Sequence, residues 1–169
     1  MKKKILLISD DLRTNSGVAN VSRDIVLNTV KNFDWIQIAG AMNHPDLGKF
    51  IDMSEEINKE LNITDANVKI IPSNGYGDSG LLRHVMKHEK PDAIFLITDP
   101  RYFSWVFQIE NEIRKKIPIV YLNIWDEYPV PLYNLSYYSS CDLLMGISKQ
   151  TVNINKLVLD HGNIPYQLI

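Results

Sequence analysis

Ile5-Leu-Leu-Ile-Ser-Asp-Asp-Leu-Arg-Thr-Asn-Ser-Gly-Val18 is the stretch on which the fold turns. Its first four residues are an unbroken apolar run, as in a strand buried on both faces. Val18, Val21, Ile25, Val26 and Val30 then recur at helical spacing, which predicts a helix over 18–30 with one buried face. Between the two lies a polar loop containing Asp10, Asp11, Arg13, Asn15, Ser16 and Gly17. In an open parallel sheet the ligand crevice lies beyond the carboxyl ends of the strands, where loops of this kind sit. Gly17 at the helix start would let a ligand approach the backbone, and helix-start N–H groups attract anions. The alternative is a plain strand-to-helix turn with solvated side chains and Ser16 as the helix N-cap.

Outward from this loop, apolar runs and helical periodicities alternate. Strands are predicted over 34–41, 67–72 (with Val68-Lys-Ile-Ile71), 92–97, 118–124 and 142–147. Helices are predicted near Phe50–Leu61, from Leu81 to Glu89, from Pro100 to about Lys116, over Tyr133–Ser140 and after Ser148. Strands alternating with helices imply an α/β fold. The expected form is a Rossmann-like, doubly wound, mostly parallel sheet of about six strands with helices on both faces. Residues 1–165 should form one domain, and 166–169 an interdomain linker or tail.

Composition narrows the function. The chain has 169 residues, is 45% hydrophobic and 22% charged, and carries a net charge of −2. No global basic field argues for nucleic acid or an anionic membrane. A single cysteine, Cys141, excludes an intrachain disulfide and fits a reducing compartment. Met1-Lys-Lys-Lys resembles the start of a signal peptide, but the apolar run after it is too short for one. A cytoplasmic location is expected.

Every polar cluster follows a predicted strand: Asp10–Ser16, Asn74–Ser79, Asp99-Pro-Arg101, Trp125-Asp-Glu127 and Ser148-Lys149. In a doubly wound sheet these converge on one edge. Carboxylates there would accept from sugar hydroxyls, and cations or helix starts would take phosphate. The Gly-rich Ser73–Gly80 loop reads either as part of this site or as a long connection. Ser148 reads as a cleft residue or an N-cap. His44 reads as a surface loop residue, and His84 with His88 as a solvated helix face. No Cys/His set has metal-ligand spacing, and there is no phosphate-binding Gly-x4-Gly-Lys-Ser/Thr and no nucleophile elbow. Paired acids after the first strand suggest a phosphoacceptor receiver, but no Asp follows the third strand.

The chain resembles the N-terminal half of GT-B glycosyltransferases, nearest to glycosyltransferase family 4. The resemblance rests on Ile5–Asp10 with the Asn15-Ser-Gly-Val loop, on Pro118-Ile-Val-Tyr-Leu leading to Trp125-Asp126, and on Tyr138-x-x-Cys-Asp142-Leu-Leu-Met-Gly-Ile-Ser-Lys-Gln-Thr151. It spans about residues 4–165. It implies one Rossmann-like half of a two-domain enzyme that transfers a hexosyl-type group from a nucleotide-sugar donor to a sugar or glycan acceptor. No cofactor and no metal are implied. Asn15, Ser16, Gly17, Asp99, Arg101, Trp125, Ser148 and Lys149 would bind substrate, and Asp126 would assist catalysis. Many family members have His-Asp where this chain has Trp125-Asp126. The donor-binding C-terminal domain or subunit, with its carboxylate motif, would have to be supplied after Ile169 or by a partner. A homo-oligomer is another arrangement, and no nucleic-acid partner is expected. The alternative function is a non-catalytic sugar- or nucleotide-binding module.

Overall fold

The computed structural model describes residues 1–166. Strand β1 (Lys3–Asp10) leads through the 11–16 loop into helix α1 (Gly17–Thr29) and strand β2 (Phe33–Ala41). A short strand β3 (Ile51–Asp52), helix α2 (Ser54–Leu61) and strand β4 (Val68–Asn74) follow. Helix α3 (Ser79–Glu89), strand β5 (Ala93–Ile97) and helices α4 (Ser104–Phe107) and α5 (Glu110–Arg114) come next. Strand β6 (Ile119–Asn123), helix α6 (Leu135–Ser139), strand β7 (Leu143–Gly146) and helix α7 (Lys149–His161) complete the described chain. The expected linker, 166–169, lies outside the described residues except for Tyr166.

The seven strands form one sheet in the order β3-β4-β2-β1-β5-β6-β7. All neighbours are parallel except β3 and β4. Without β3, the parallel strands run third, second, first, fourth, fifth, sixth in chain order. That is the doubly wound Rossmann-like order, with its switch point between β1 and β5.

Strand alternation sends side chains to two cores. Leu6 and Ile8 join Ile36, Ile38, Ile94 and Leu96 beneath α3 to α7. Leu7 joins Trp35, Ile70, Phe95 and Ile97 beneath α1 and α2. Both faces of β1 are thus dry, which is why its sequence is continuously apolar.

Three expectations change. The sheet has seven strands because the two-residue β3, too short for a periodic signal, pairs antiparallel at Ile51↔Ile70 and Asp52↔Lys69. Phe50 accordingly precedes the helix and stands 55% exposed, with the Lys69 ammonium 5.7 Å from its ring centroid. The helix expected over 100–116 is three pieces: a 3-10 turn at Pro100–Phe103, then α4 and α5. The pieces part where the Ile109 N–H bonds back three residues, to Val106.

The third concerns His44, which is buried. Its Nε2 lies 2.7 Å from Asp11 Oδ2, and its Nδ1 accepts the Asp46 N–H. With Nδ1 an acceptor, Nε2 carries the proton that Asp11 accepts. Arg13 holds the same carboxylate through Nε and Nη2 and reaches Asp46 through Nη1. Burial raises the Asp11 pKa, but hydrogen bonds from Arg13 and His44 outweigh it, so its carboxyl titrates below the usual 3.8. This cluster ties the loop after β1 to the loop after β2.

A depressed carboxyl pKa stabilises the fold above its unfolded value and loses that contribution as pH falls through the folded value. Asp11→Ala strands the buried His44 imidazole and leaves the Arg13 guanidinium only Asp46, at a cost of about 3 kcal/mol at neutral pH. Urea unfolding at pH 7 should show this loss, and its gap from wild type should shrink as the pH drops below about 4.

Candidate functional site

The clusters after β1, β4, β5, β6 and β7 lie at the carboxyl edge of the sheet, because these strands are parallel. Four of them are joined by side-chain contacts into one line above the switch point.

The line starts at Asp10, half-buried at the end of β1. Its Oδ2 accepts the Ser16 hydroxyl at 2.6 Å and its Oδ1 accepts the Tyr76 hydroxyl at 2.6 Å. Ser16 also caps α1 by accepting the Ala19 N–H, so the N-cap reading of this residue is realised. Burial, and then the bond to Asp10, push the Tyr76 phenol well above its ordinary pKa. It stays a neutral donor.

Tyr76 reaches Asp10 because the chain is glycine at two critical points. A Cβ on Gly40 would stand 2.6 Å from the Tyr76 ring and 2.7 Å from the Gly75 carbonyl. Gly75 itself turns with φ +61°.

From Tyr76 the line passes to Tyr102, ring centroids 5.3 Å apart, on the turn after β5. There Asp99 accepts the Arg101 N–H and grips its guanidinium through Nε and Nη2. Burial raises the Asp99 pKa, and the bonds from Arg101 more than reverse that. The Arg101 guanidinium lies 5.9 Å from the Trp125 ring centroid, within cation–π range. Trp125 meets Tyr133 edge-on at 6.0 Å. Tyr102 and Tyr133 are 59% and 60% exposed, so these aromatic faces are open to a ligand.

Two buried groups hold the loops in place. Thr98 has φ 144°, which a β-branched residue rarely adopts. The buried Tyr121 hydroxyl donates to its carbonyl at 2.8 Å. Strain persists where surrounding contacts over-determine it. Asn123, at the end of β6, donates to Tyr138 and Asn155 and accepts the Trp125 N–H. It thereby fixes the start of the loop that carries Trp125 and Asp126.

The remaining expected residues stand apart from this line. Asn15 is exposed on the 11–16 loop. Gly17 is exposed, and a Cβ there would meet nothing within 4 Å. No close packing among the described residues requires glycine at that position. Asp126 is exposed, and among the described residues only its carbonyl is engaged, by the Gln150 side chain. Ser148 caps α7, accepting the Thr151 N–H. Lys149 is exposed beside it. Tyr76, Tyr102, Tyr133 and Tyr121 were not expected. Of these only Tyr76 had a local signal, its place in Gly75-Tyr-Gly77.

No group of three or more potential metal-ligating side chains gathers among the described residues. None of their helices is long and apolar enough to cross a membrane. No protein-family model matches the chain, and no curated protein matches its sequence. The fold is therefore assigned at the level of a Rossmann-like α/β domain, an architecture compatible with nucleotide or sugar binding in general.

Tyr121→Phe removes the donor that holds the Thr98 carbonyl. It should lower stability by about 1–3 kcal/mol in chemical denaturation. It should also broaden or shift the amide signals of Asp99 and Arg101. Gly40→Ala should shift the Tyr76 ring signals and break its bond to Asp10 while the far-ultraviolet circular dichroism stays that of the wild type.

Proposed function

We propose that the chain is a Rossmann-like binding module for a sugar or a nucleotide, held across the crevice above β1 and β5. The observation that carries this reading is the continuous line Ser16–Asp10–Tyr76–Tyr102–Arg101–Trp125–Tyr133. It combines two carboxylates with open aromatic faces at the topological switch point, where ligands of such sheets bind. The Asp10 and Asp99 oxygens keep lone pairs for hydroxyl donors. Tyr102, Trp125 and Tyr133 offer stacking surfaces for a sugar ring or a base.

The second reading is the acceptor half of a GT-B glycosyltransferase, completed by a donor-binding half that carries the nucleotide-sugar. Its support is Asp126: exposed, next to Trp125, with no side-chain hydrogen bond among the described residues. Such a carboxylate is free to meet an acceptor hydroxyl. Asn15, Gly17, Ser148 and Lys149 would then border the interdomain cleft. Catalysis would come mainly from positioning the two substrates.

A thermal-shift titration against UDP, GDP, their sugar conjugates and free sugars tests both readings. A ligand at 100 times its Kd adds about 2.7 kcal/mol, a rise of roughly 5–10 °C for a chain of this size. Trp125→Ala should weaken the best ligand about tenfold, the loss of one stacking contact. Gly17→Val should fold normally and bind more weakly if the ligand touches the start of α1. Stabilisation by free sugars alone, with turnover only when a donor-binding half is added and loss of that turnover in Asp126→Asn, selects the glycosyltransferase. Binding without turnover selects the module. A panel that leaves the melting temperature unmoved contradicts both.

A further inference from the structure

We propose that a second site, at the opposite edge of the sheet, binds a phosphate-bearing ligand with an adjoining apolar part. The site is a groove of about 480 Å³ between the end of α3 and the end of α5. Small-molecule sites have volumes of this order, about 300–1,000 Å³. It lies at the amino ends of β5 and β6, away from the crevice.

The lining is strongly biased in charge. Arg83, Lys87, Lys90 and Lys116 face one carboxylate, Glu112, in a chain whose net charge is −2. Arg83 engages Glu112 through Nε and Nη2 at 2.8–3.1 Å, bridging α3 to α5 as one wall. Lys87, Lys90 and Lys116 have no ion-pair partner among the described residues. Met86 and Ile117, half-buried against the core, supply the apolar part of the lining.

Lysines near helix ends often do no more than offset the helix dipole. That favours a cation at Lys87 and at Lys90 alike, but it does not explain the backbone that Lys90 adopts. Lys90 closes α3 in the left-handed conformation, φ 49° and ψ 59°, where glycine or asparagine is the ordinary choice. The same fold makes that ordinary choice elsewhere, with Asn62 closing α2 at φ 51° and ψ 50°. At the groove, a residue that costs strain stands where a strain-free one would serve the backbone equally well. What it adds is an ammonium beside two others. Three exposed ammonium groups fit a multiply charged phosphate, for which lysine is a common point-charge partner. Met86 and Ile117 then take the apolar portion, whether a nucleoside or an acyl chain.

The test uses the full chain and two phosphate probes, adenosine diphosphate and dihexanoyl phosphatidic acid. Adenosine and dihexanoyl phosphatidylcholine are their controls. Titrations are followed by calorimetry and amide chemical shifts. At least one phosphate probe should bind more tightly than its control and shift signals in 83–91 and 112–117, independently of any shift at the crevice. Adenosine diphosphate as the better ligand identifies a nucleotide source, and phosphatidic acid a lipid headgroup. Affinity should fall on raising the ionic strength from about 50 to about 300 mM, and at least tenfold in the Lys87→Ala/Lys116→Ala double variant. Lys90→Gly should raise the melting temperature while weakening binding. Trp125→Ala should leave the titration of the 83–91 and 112–117 signals unchanged, which separates the groove from the crevice. The proposal is overturned if neither probe shifts signals in 83–91 and 112–117 with an affinity tighter than about 1 mM, or if the double variant keeps those shifts at wild-type strength. Lys90→Gly binding at wild-type strength overturns the role given to the left-handed lysine.

Discussion

Strand β1 is hydrogen-bonded on both sides to parallel neighbours, β2 and β5, and the rest of the molecule follows from that. The chain winds outward from β1 in one direction through β2 and β4, then crosses back and winds outward in the other through β5, β6 and β7. Loops on the two sides of the reversal depart in opposite directions, and a crevice opens where they separate. Leu6, Leu7 and Ile8 are no more than 1% exposed. Each fully buried side chain of this size contributes about 1.5–3 kcal/mol. The burial that fixes the register of β1 therefore also fixes where Asp10 ends up.

Around the crevice, polar groups are immobilised from below by buried hydrogen bonds. Asp11 gathers Arg13 and His44 and joins two loops. Tyr121 holds Thr98, and Asn123 holds the backbone of Trp125. The buried members of these sets are satisfied by protein partners, while Asp10, Asp99 and the aromatic faces above them keep capacity for a ligand. This division between a fixed lower layer and an available upper layer is what a preorganised binding site requires.

Much of this was legible in the sequence. Continuous apolar runs announced the parallel strands, and the polar clusters after them announced the edge. Ser16 and Ser148 were recognisable as caps because a cap bonds within its own turn. What was hidden depended on distance along the chain. His44 looked like a loop histidine because its partner, Asp11, lies 33 residues away. Tyr76 meets an acid 66 residues earlier. Tyr102 and Tyr133 look like ordinary aromatics until the fold places them beside Tyr76 and Trp125. A two-residue strand such as β3 is too short for any periodicity to show. The likeness to GT-B enzymes likewise drew on local motifs, and the fold supports it only at the level of a Rossmann-like domain.

The most direct test of a ligand crevice above β1 and β5 is amide and aromatic chemical-shift mapping of the chain titrated with UDP-glucose and with free hexoses. The account predicts that at least one of these shifts signals in 10–17, 74–78, 98–102 and 125–133, with the Tyr76, Tyr102 and Trp125 rings moving together. No shift in these segments with any of them at saturating concentration, whatever moves at the opposite edge of the sheet, would contradict it.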